Sequence, residues 1–421
     1  MQILIVCPYF PPENVIAAIR IAKFAQHWAE AGHDVKVLAR TAVQEGLDVP
    51  SHRNLEVIRV RDPLTRAAQV SVRLSSTHGY RSFRGALAGR VKSLVKSLAW
   101  PDVYFPWSVR AWGTSRRSLL RPDVVVASTG PFSSLLLGSA LARRYHARFV
   151  VDYRDMLATG PYYEHGRLRR ALDLRFERFA ASNASLIAGV SQNMVDEIKS
   201  LHARPTILIT NGYDPKDFEA LSYEPTSSRL HIVHCGTFYP GIRDASPLFR
   251  ALRLLLDSDP TLEVSVDLYG RNVDGALASA SSENVAHLVN FHGSVGHDES
   301  LRVQAQADLL LLVLWNDPRE IGVLSGKLFE YIGAQRPILM LGLESGDAAS
   351  IIRENDLGLA SNDAHAIRDY LERSIIEKRS TRHLVGPGRV DHSAFTRRYQ
   401  SEKFLREIES LFVGEPRSSS T

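Results

Sequence analysis

Residues 2–39 read QILIVCPYFPPENVIAAIRIAKFAQHWAEAGHDVKVLA. Gln2 to Tyr9 is an apolar run that breaks at Phe10-Pro11-Pro12, where proline can no longer donate to a sheet ladder. Ile16, Ile19, Ala22, Phe24, Ala25 and Trp28 then recur at helical spacing, Gly32-His33-Asp34 turns the chain, and Val35 to Ala39 is a second apolar run. Strand, loop, helix, turn and strand make a βαβ unit, whose second strand lies parallel to the first. The first loop then stands at the carboxyl end of its strand, the end at which ligands bind in such sheets.

The same rhythm continues outward. Asp123 to Ala127, Ala147 to Tyr153 and Leu186 to Val190 read as strands, with helices over Phe132 to Tyr145 and Ser191 to Leu201. A polar stretch, Glu219 to Arg229, precedes a fresh apolar start, Leu230 to Gly236, so a domain boundary is expected between about 205 and 230. Further strands are expected at Leu262 to Tyr269, Val289 to His292, Leu309 to Leu314 and Pro337 to Gly342, alternating with helices at Leu248 to Leu256, Glu299 to Gln306 and Leu328 to Ala334. A chain of 421 residues exceeds what one core supports, about 250–300 residues. The expected fold class is therefore α/β, with two doubly wound, Rossmann-like domains facing a central cleft.

Composition excludes several classes. Hydrophobic residues at 44% and charged residues at 23% are globular values, and no apolar run reaches the roughly 18 residues of a membrane span, so a cytoplasmic protein is expected. Cys7 and Cys235, the two cysteines, both lie in strand-like runs and read as packed thiols. The net charge of +5 is unevenly spread: between Asp62 and Asp102 no acidic residue occurs, while Arg66, Arg73, Arg81, Arg84, Arg90, Lys92 and Lys96 do. Phe83, Leu87, Val91, Leu94, Val95 and Leu98 recur there at helical spacing, a pattern that permits peripheral association with an anionic membrane at its inner face and equally permits a packed helix with a solvated basic face.

The segment richest in chemistry is Leu324-Ser325-Gly326-Lys327-Leu328-Phe329-Glu330-Tyr331-Ile332-Gly333-Ala334-Gln335-Arg336-Pro337. A turn at Gly326 opens a short helix whose N-terminal donors and dipole favour a phosphate, and Lys327 adds a full charge. Glu330, read as lying in the first turn, is a carboxylate able to accept from two vicinal ribose hydroxyls. On residues alone, a surface ion pair between Lys327 and Glu330 stands beside this reading.

This run resembles the donor-site signature of the retaining family 4 glycosyltransferases. The similarity extends through YFPPENVIAAIR, PDVVVASTGPFSSLLLG, FVVDYRD, AGVSQNM, ITNGYDPKDF, HCGTFYPGIRD and LYG, in that order. The resemblance implies a GT-B fold, an acceptor-binding domain over residues 1–205, a nucleotide-sugar-binding domain over 206–392 and a helix over 393–413 returning to the first domain, while the polar end over 414–421 reads by itself as a disordered tail. The returning helix would carry Phe395, Tyr399, Phe404, Ile408 and Leu411 as its apolar stripe.

It implies donor contacts from Asn211, Gly236, Thr237, Arg243, Gly270, Ser325, Lys327, Leu328 and Glu330, with Glu330 on the ribose and Arg243 and Lys327 neutralising the leaving diphosphate. Thr237 departs from the arginine usual there, and Gly322 stands where many members carry a glutamate facing the sugar, with Glu320 two residues earlier. On the acceptor side the reading selects Glu13, Asn14, Arg20, Asp152, Arg154 and Asp155. No Asp-x-Asp metal motif is read anywhere in the chain, so neither metal nor cofactor is expected. Partners are a nucleotide-sugar donor and a glycan, lipid-linked or small-molecule acceptor, without nucleic acid. A nucleotide-sugar epimerase and a non-catalytic or coupling homologue are the alternatives; a dehydrogenase is disfavoured, since neither half shows G-x-G-x-x-G after its first strand.

Overall fold

The computed structural model describes residues 1–42, 46–63, 100–117, 121–160, 163, 165–223, 228–382, 384 and 392–413. The basic run from Arg66 to Lys96 and the tail from Gly414 lie outside them. The chain divides into two compact units, Met1–Thr210 with Gln400–Thr421, and Asn211–Tyr399.

In the first unit the strands are β1 (Gln2–Val6), β2 (Asp34–Arg40), β3 (Leu55–Val60), β4 (Val124–Ser128), β5 (Arg148–Tyr153), β6 (Leu186–Gly189) and β7 (Thr206–Leu208). They form one sheet in the order β3-β2-β1-β4-β5-β6-β7, every pair parallel. Sequence order reverses direction at β1, so the switch point lies between β1 and β4. The helices are α1 (Ile16–Glu30), α2 (Phe105–Arg117), α3 (Phe132–Tyr145), α4 (Arg167–Ala181) and α5 (Gln192–His202).

Period-two alternation sorts the strand residues between two faces. Ile3 and Ile5 join Phe24 and Trp28 of α1 in one core, while Leu4 and Val6 join Trp107 of α2 and Leu135 and Leu141 of α3 in another. Both faces are covered, which is why these strands are apolar throughout. On α1, Ile16 departs from the expected stripe: it is exposed, at the loop end of the helix.

The second unit repeats the plan with β8 (Leu230–Thr237), β9 (Val264–Arg271), β10 (Val289–Gly293), β11 (Leu309–Val313), β12 (Ile338–Leu341) and β13 (Gly358–Ala360), all parallel, in the order β10-β9-β8-β11-β12-β13. Its switch point lies between β8 and β11. The helices are α6 (Ser246–Ser258), α7 (Asp274–Ser282), α8 (His297–Gln306), α9 (Gly326–Gly333), α10 (Asp347–Glu354) and α11 (Ala364–Thr381).

The last helix, α12 (Arg397–Ser410), begins later than the sequence reading placed it. Phe395 lies before it, in a 3-10 turn, and packs on Phe329 within the second unit. Tyr399 is exposed, whereas Phe404 and Ile408 are buried in the first unit. Phe404 sits edge-on to both Phe24 and Trp28, and Trp28 Nε1 donates to the Ser401 carbonyl at 3.0 Å. The expected five-residue stripe is thus divided: its first member serves the second unit and its central members the first.

Candidate functional site

The carboxyl end of β8 is shaped by a glycine pair in register, Gly236 and Gly270. Gly270 has φ +147°, and a Cβ there would come within 1.6 Å of the Gly236 carbonyl oxygen, so no side chain fits. After β8 the chain turns back through Arg243, whose backbone bridges Trp315 beyond β11. This bridge closes the two loops that flank the switch point. Arg243 Nη1 donates to the Thr237 carbonyl at 2.9 Å, and its guanidinium lies 4.8 Å over the Tyr239 ring. Thr237 thus contributes a main-chain oxygen that orients Arg243.

Helix α9 starts beside them. Ser325 is its N-cap, the hydroxyl accepting from Lys327 N. Fully buried Tyr331 fixes the helix to the sheet: its hydroxyl accepts from Cys235 N at 3.0 Å and donates to the Leu311 carbonyl at 3.3 Å. Leu328 is buried in the core beneath, so any donor contact falls to its backbone.

Lys327 Nζ donates to Glu330 Oε2 at 2.5 Å and to Ser300 Oγ at 3.1 Å, and Gln304 Nε2 donates to the same Glu330 oxygen at 3.0 Å. Glu330 therefore lies in the second turn of α9, not the first, and the dipole does not account for its position. A cation and an amide from α8 hold it instead. The Lys327 and Glu330 pair, the alternative reading of this segment, is present, part-buried and tied into a network with Ser300 and Gln304 of a helix to which the sequence assigned no role.

His234, one turn of the pleat before Gly236, is also new. Its Nδ1 lies 2.9 Å from the Leu311 carbonyl, and burial first, with Arg243 and Lys327 adding, holds its pKa down to about 4. The imidazole is neutral with Nδ1 as donor. Cys235 beside it is pushed up to about 11 by burial, and Cys7 up to about 12, so both thiols are inert.

Glu320 closes a 3-10 turn, Pro318–Glu320, capped by Asp317. It is buried and lines a small pocket with Leu314, Trp315, Val323, Met340, Leu343 and Gly346. Asn211 opens the second unit, next to Gly212, whose backbone runs so close to Phe395 and Arg397 that a Cβ would meet the Phe395 oxygen at 2.5 Å. Contrary to the expectation of no such motif, an Asp-x-Asp triplet, Asp257-Ser258-Asp259, does occur, but it lies at the end of α6, just before the amino end of β9; Asp257 pairs with Arg253, and Asp259 accepts from Thr261. No group of three or more His, Cys, Asp or Glu suited to a metal occurs among the described residues.

In the first unit the acceptor-side residues separate into two kinds. Arg20 is buried and forms a forked pair with the fully buried Asp152, Nη2 to Oδ1 2.8 Å, while donating to the carbonyls of Ile209 and Thr210. Asp152 also accepts from Ser128 Oγ. These two side chains brace α1, β4, β5 and the end of the unit, which departs from the expectation that both face an acceptor: each is already satisfied by protein.

Arg154 donates to Ser128 Oγ and to the carbonyls of Thr129 and Gly130, and so orders the loop after β4, with exposed Asp155 beside it. One hydroxyl and two main-chain carbonyls thus hold the Arg154 guanidinium. Glu13 is buried against Arg40, 2.6 Å away, while Asn14 is exposed at the first loop. Arg40 also lies over the rings of Tyr9 and Tyr104, which hydrogen bond to each other at 2.7 Å. Arg40 and Tyr104 carried no signal in sequence, since neither belongs to a motif.

No described helix is long and apolar enough to cross a membrane. Residues 17–212 match the family described as "Glycosyl transferase 4-like domain". No curated protein matches the chain by sequence. Among solved structures the chain is similar to sucrose-phosphate synthase from Thermosynechococcus elongatus, at 15% identity and TM-score 0.64, covering 99% of this chain and 100% of that one. It is also similar to Anabaena HepE in complex with UDP and glucose, at 14% identity and TM-score 0.62, covering 97% and 100%. A third is WaaG, a glycosyltransferase involved in lipopolysaccharide biosynthesis, at 15% identity and TM-score 0.52, covering 99% and 100%. The match over residues 17–212 marks a region similar to the glycosyl transferase 4-like domain, and the likeness to these structures shows that both sheets are wound in the GT-B manner.

Proposed function

We propose that the chain is a retaining transferase that moves a sugar from a nucleoside diphosphate to a hydroxyl of a glycan, lipid-linked or small-molecule acceptor. The observation that carries the reading is the gathering of Arg243, the Lys327–Glu330–Gln304 network and the N-terminus of α9 at one switch point. Glu330 is the group for the ribose hydroxyls, and Lys327 and Arg243 are the groups for the diphosphate. Asn211, Gly236, Gly270 and the backbone at Ser325 and Leu328 complete the donor surface. Anabaena HepE, solved with UDP-glucose, lends support for a donor of this class.

In the reaction the bond from the anomeric carbon to the diphosphate oxygen breaks, and the acceptor oxygen bonds to that carbon on the same face. The acceptor proton passes to the departing phosphate. Charge grows on the diphosphate as the bond breaks, where two fixed cations stabilise it most. This chemistry uses side-chain charge and calls for no metal. Asn14, Arg154, Asp155 and the Arg40-bound Glu13 are the first unit's candidates for ordering the acceptor, with Arg20 and Asp152 as their brace; Glu320 is the candidate for the sugar in place of a glutamate at 322.

A panel of nucleoside diphosphates and their sugars tests the reading. A bound member at about 100 times its dissociation constant raises folding stability by about 2.7 kcal/mol, and slow release of nucleoside diphosphate from one sugar nucleotide marks a transferase. An isomeric sugar nucleotide as the product would instead mark an epimerase, and stabilisation by no member would overturn the donor assignment.

A further inference from the structure

Helix α4 has an unusual outer face. Its exposed residues are Arg167, Leu168, Arg170, Ala171, Leu172, Arg175, Arg178 and Phe179, arginine or apolar without exception. Its two acids are both buried: Asp173 is held by Arg169, Tyr163 and Trp100, and Glu177 by Tyr153. Leu168, Leu172 and Phe179 are 79%, 52% and 59% exposed, far beyond what core helices of soluble units leave in water. With Arg175 they stand at i, i+4, i+7 and i+11, one stripe along the helix, with Arg167 and Arg178 along one flank.

The face continues past the helix. Trp100, 47% exposed, packs its ring at a tilt against Phe176, with the ring centres 4.6 Å apart. Arg143 of α3 lies 5.2 Å over the Phe179 ring, with exposed Arg144 next to it. Arg167, Arg175 and Arg178 make no ion pair within the described residues. A helix core would not leave three large apolar groups in water, and a purely solvating face would not alternate them with arginine.

We infer that this face is a docking surface for an anionic phospholipid bilayer. Leucine and phenylalanine side chains enter the acyl boundary, guanidinium groups fork onto headgroup phosphates, and an exposed tryptophan beside them takes the interfacial level that indole favours. Charge complementarity selects this occupant: the patch offers cations and apolar carbon with no acid, the composition of a leaflet's counterpart. A convex helix face also needs only a flat, deformable surface, whereas a protein partner would need a matching groove. The inference stands apart from the donor assignment and from the basic run Arg66 to Lys96.

The full chain is sedimented with vesicles of phosphatidylcholine alone and of phosphatidylcholine with phosphatidylglycerol. Co-sedimentation is expected with the anionic vesicles and to fall as salt rises. Two variants separate the contributions: Leu168→Ser with Leu172→Ser and Phe179→Ser, and Arg167→Gln with Arg175→Gln and Arg178→Gln. Each is expected to weaken partition by about tenfold or more. Circular dichroism and binding of nucleoside diphosphate, read in parallel, show that the fold and donor side are intact.

Equal partition of both variants and the unaltered chain would place any membrane contact elsewhere and overturn the inference. So would failure to bind either vesicle, including the case in which the face instead retains a soluble acidic polypeptide such as polyglutamate.

Discussion

Replacing Glu330 with alanine tests the donor side at its most specific point. In the free protein Glu330 Oε2 accepts from both Lys327 Nζ and Gln304 Nε2, so two donors are left to reorganise when the carboxylate is removed. The Lys327 and Glu330 side chains are 27% and 19% exposed, so their pairing contributes at most about 1 kcal/mol to folding and the second unit stays intact. Hydrogen bonds to a charged acceptor are worth about 1.5–3 kcal/mol, so affinity for nucleoside and for nucleoside diphosphate alike is expected to fall by roughly ten- to a hundredfold. Lys327→Ala is expected to behave differently: it weakens the diphosphate, spares the nucleoside, and lowers turnover more than ground-state affinity. Calorimetric titration of both variants with nucleoside and nucleoside diphosphate, beside a turnover assay, separates the roles. Unaltered binding in Glu330→Ala would refute the ribose assignment and return the pair to a structural contact.

Three further outcomes follow from the packing of the first unit. Arg20→Met and Asp152→Leu made singly are each expected to cost about 3–5 kcal/mol in denaturant unfolding, because each strands a buried partner, and the double variant to cost less than the sum. Phe404→Ala, which empties the space between Phe24 and Trp28, is expected to cost about 3–5 kcal/mol and to detach the C-terminal helix, read as faster amide exchange along Arg397–Ser410. The Tyr153–Glu177–His202 cluster gives opposed pH dependences. Burial raises Glu177 from 4.5 to about 7, a contribution present below about 4.5 and lost as pH rises to 7; burial lowers His202 from 6.5 to about 4, a contribution present above 6.5 and lost as pH falls to 4. Glu177→Gln is therefore expected to leave stability rising between pH 4 and 6.5, and His202→Asn to leave it falling between pH 4.5 and 7, both measured by urea unfolding across pH.

The order of βαβ units was legible in sequence because buried parallel strands are apolar throughout and stand between helices of period 3.6, a local pattern. Ser325, Lys327 and Glu330 were legible because one short helix carries all three. What local pattern could not carry was the company each residue keeps. Arg20 and Asp152 stood among charged residues near strand carboxyl ends, yet they are 132 positions apart and meet only when the sheet places β5 next but one to β1, which converts two apparent ligands into a buried brace. Gln304 and Ser300 carried no motif, and their contacts with Glu330 and Lys327 respectively exist only because α8 and α9 flank the same strand. Phe395 and Phe404 shared one apolar periodicity in sequence; a 3-10 turn before Arg397 sends them to different units. In α4, which side faces water depends on Asp173 and Glu177 finding partners inside, and that is a tertiary decision. The sequence by itself determined the elements and their winding through short-range sterics and burial, while the tertiary structure decided which charges are spent on one another and which remain for ligands, because Coulomb and hydrogen-bond partners are chosen by distance in space and not along the chain.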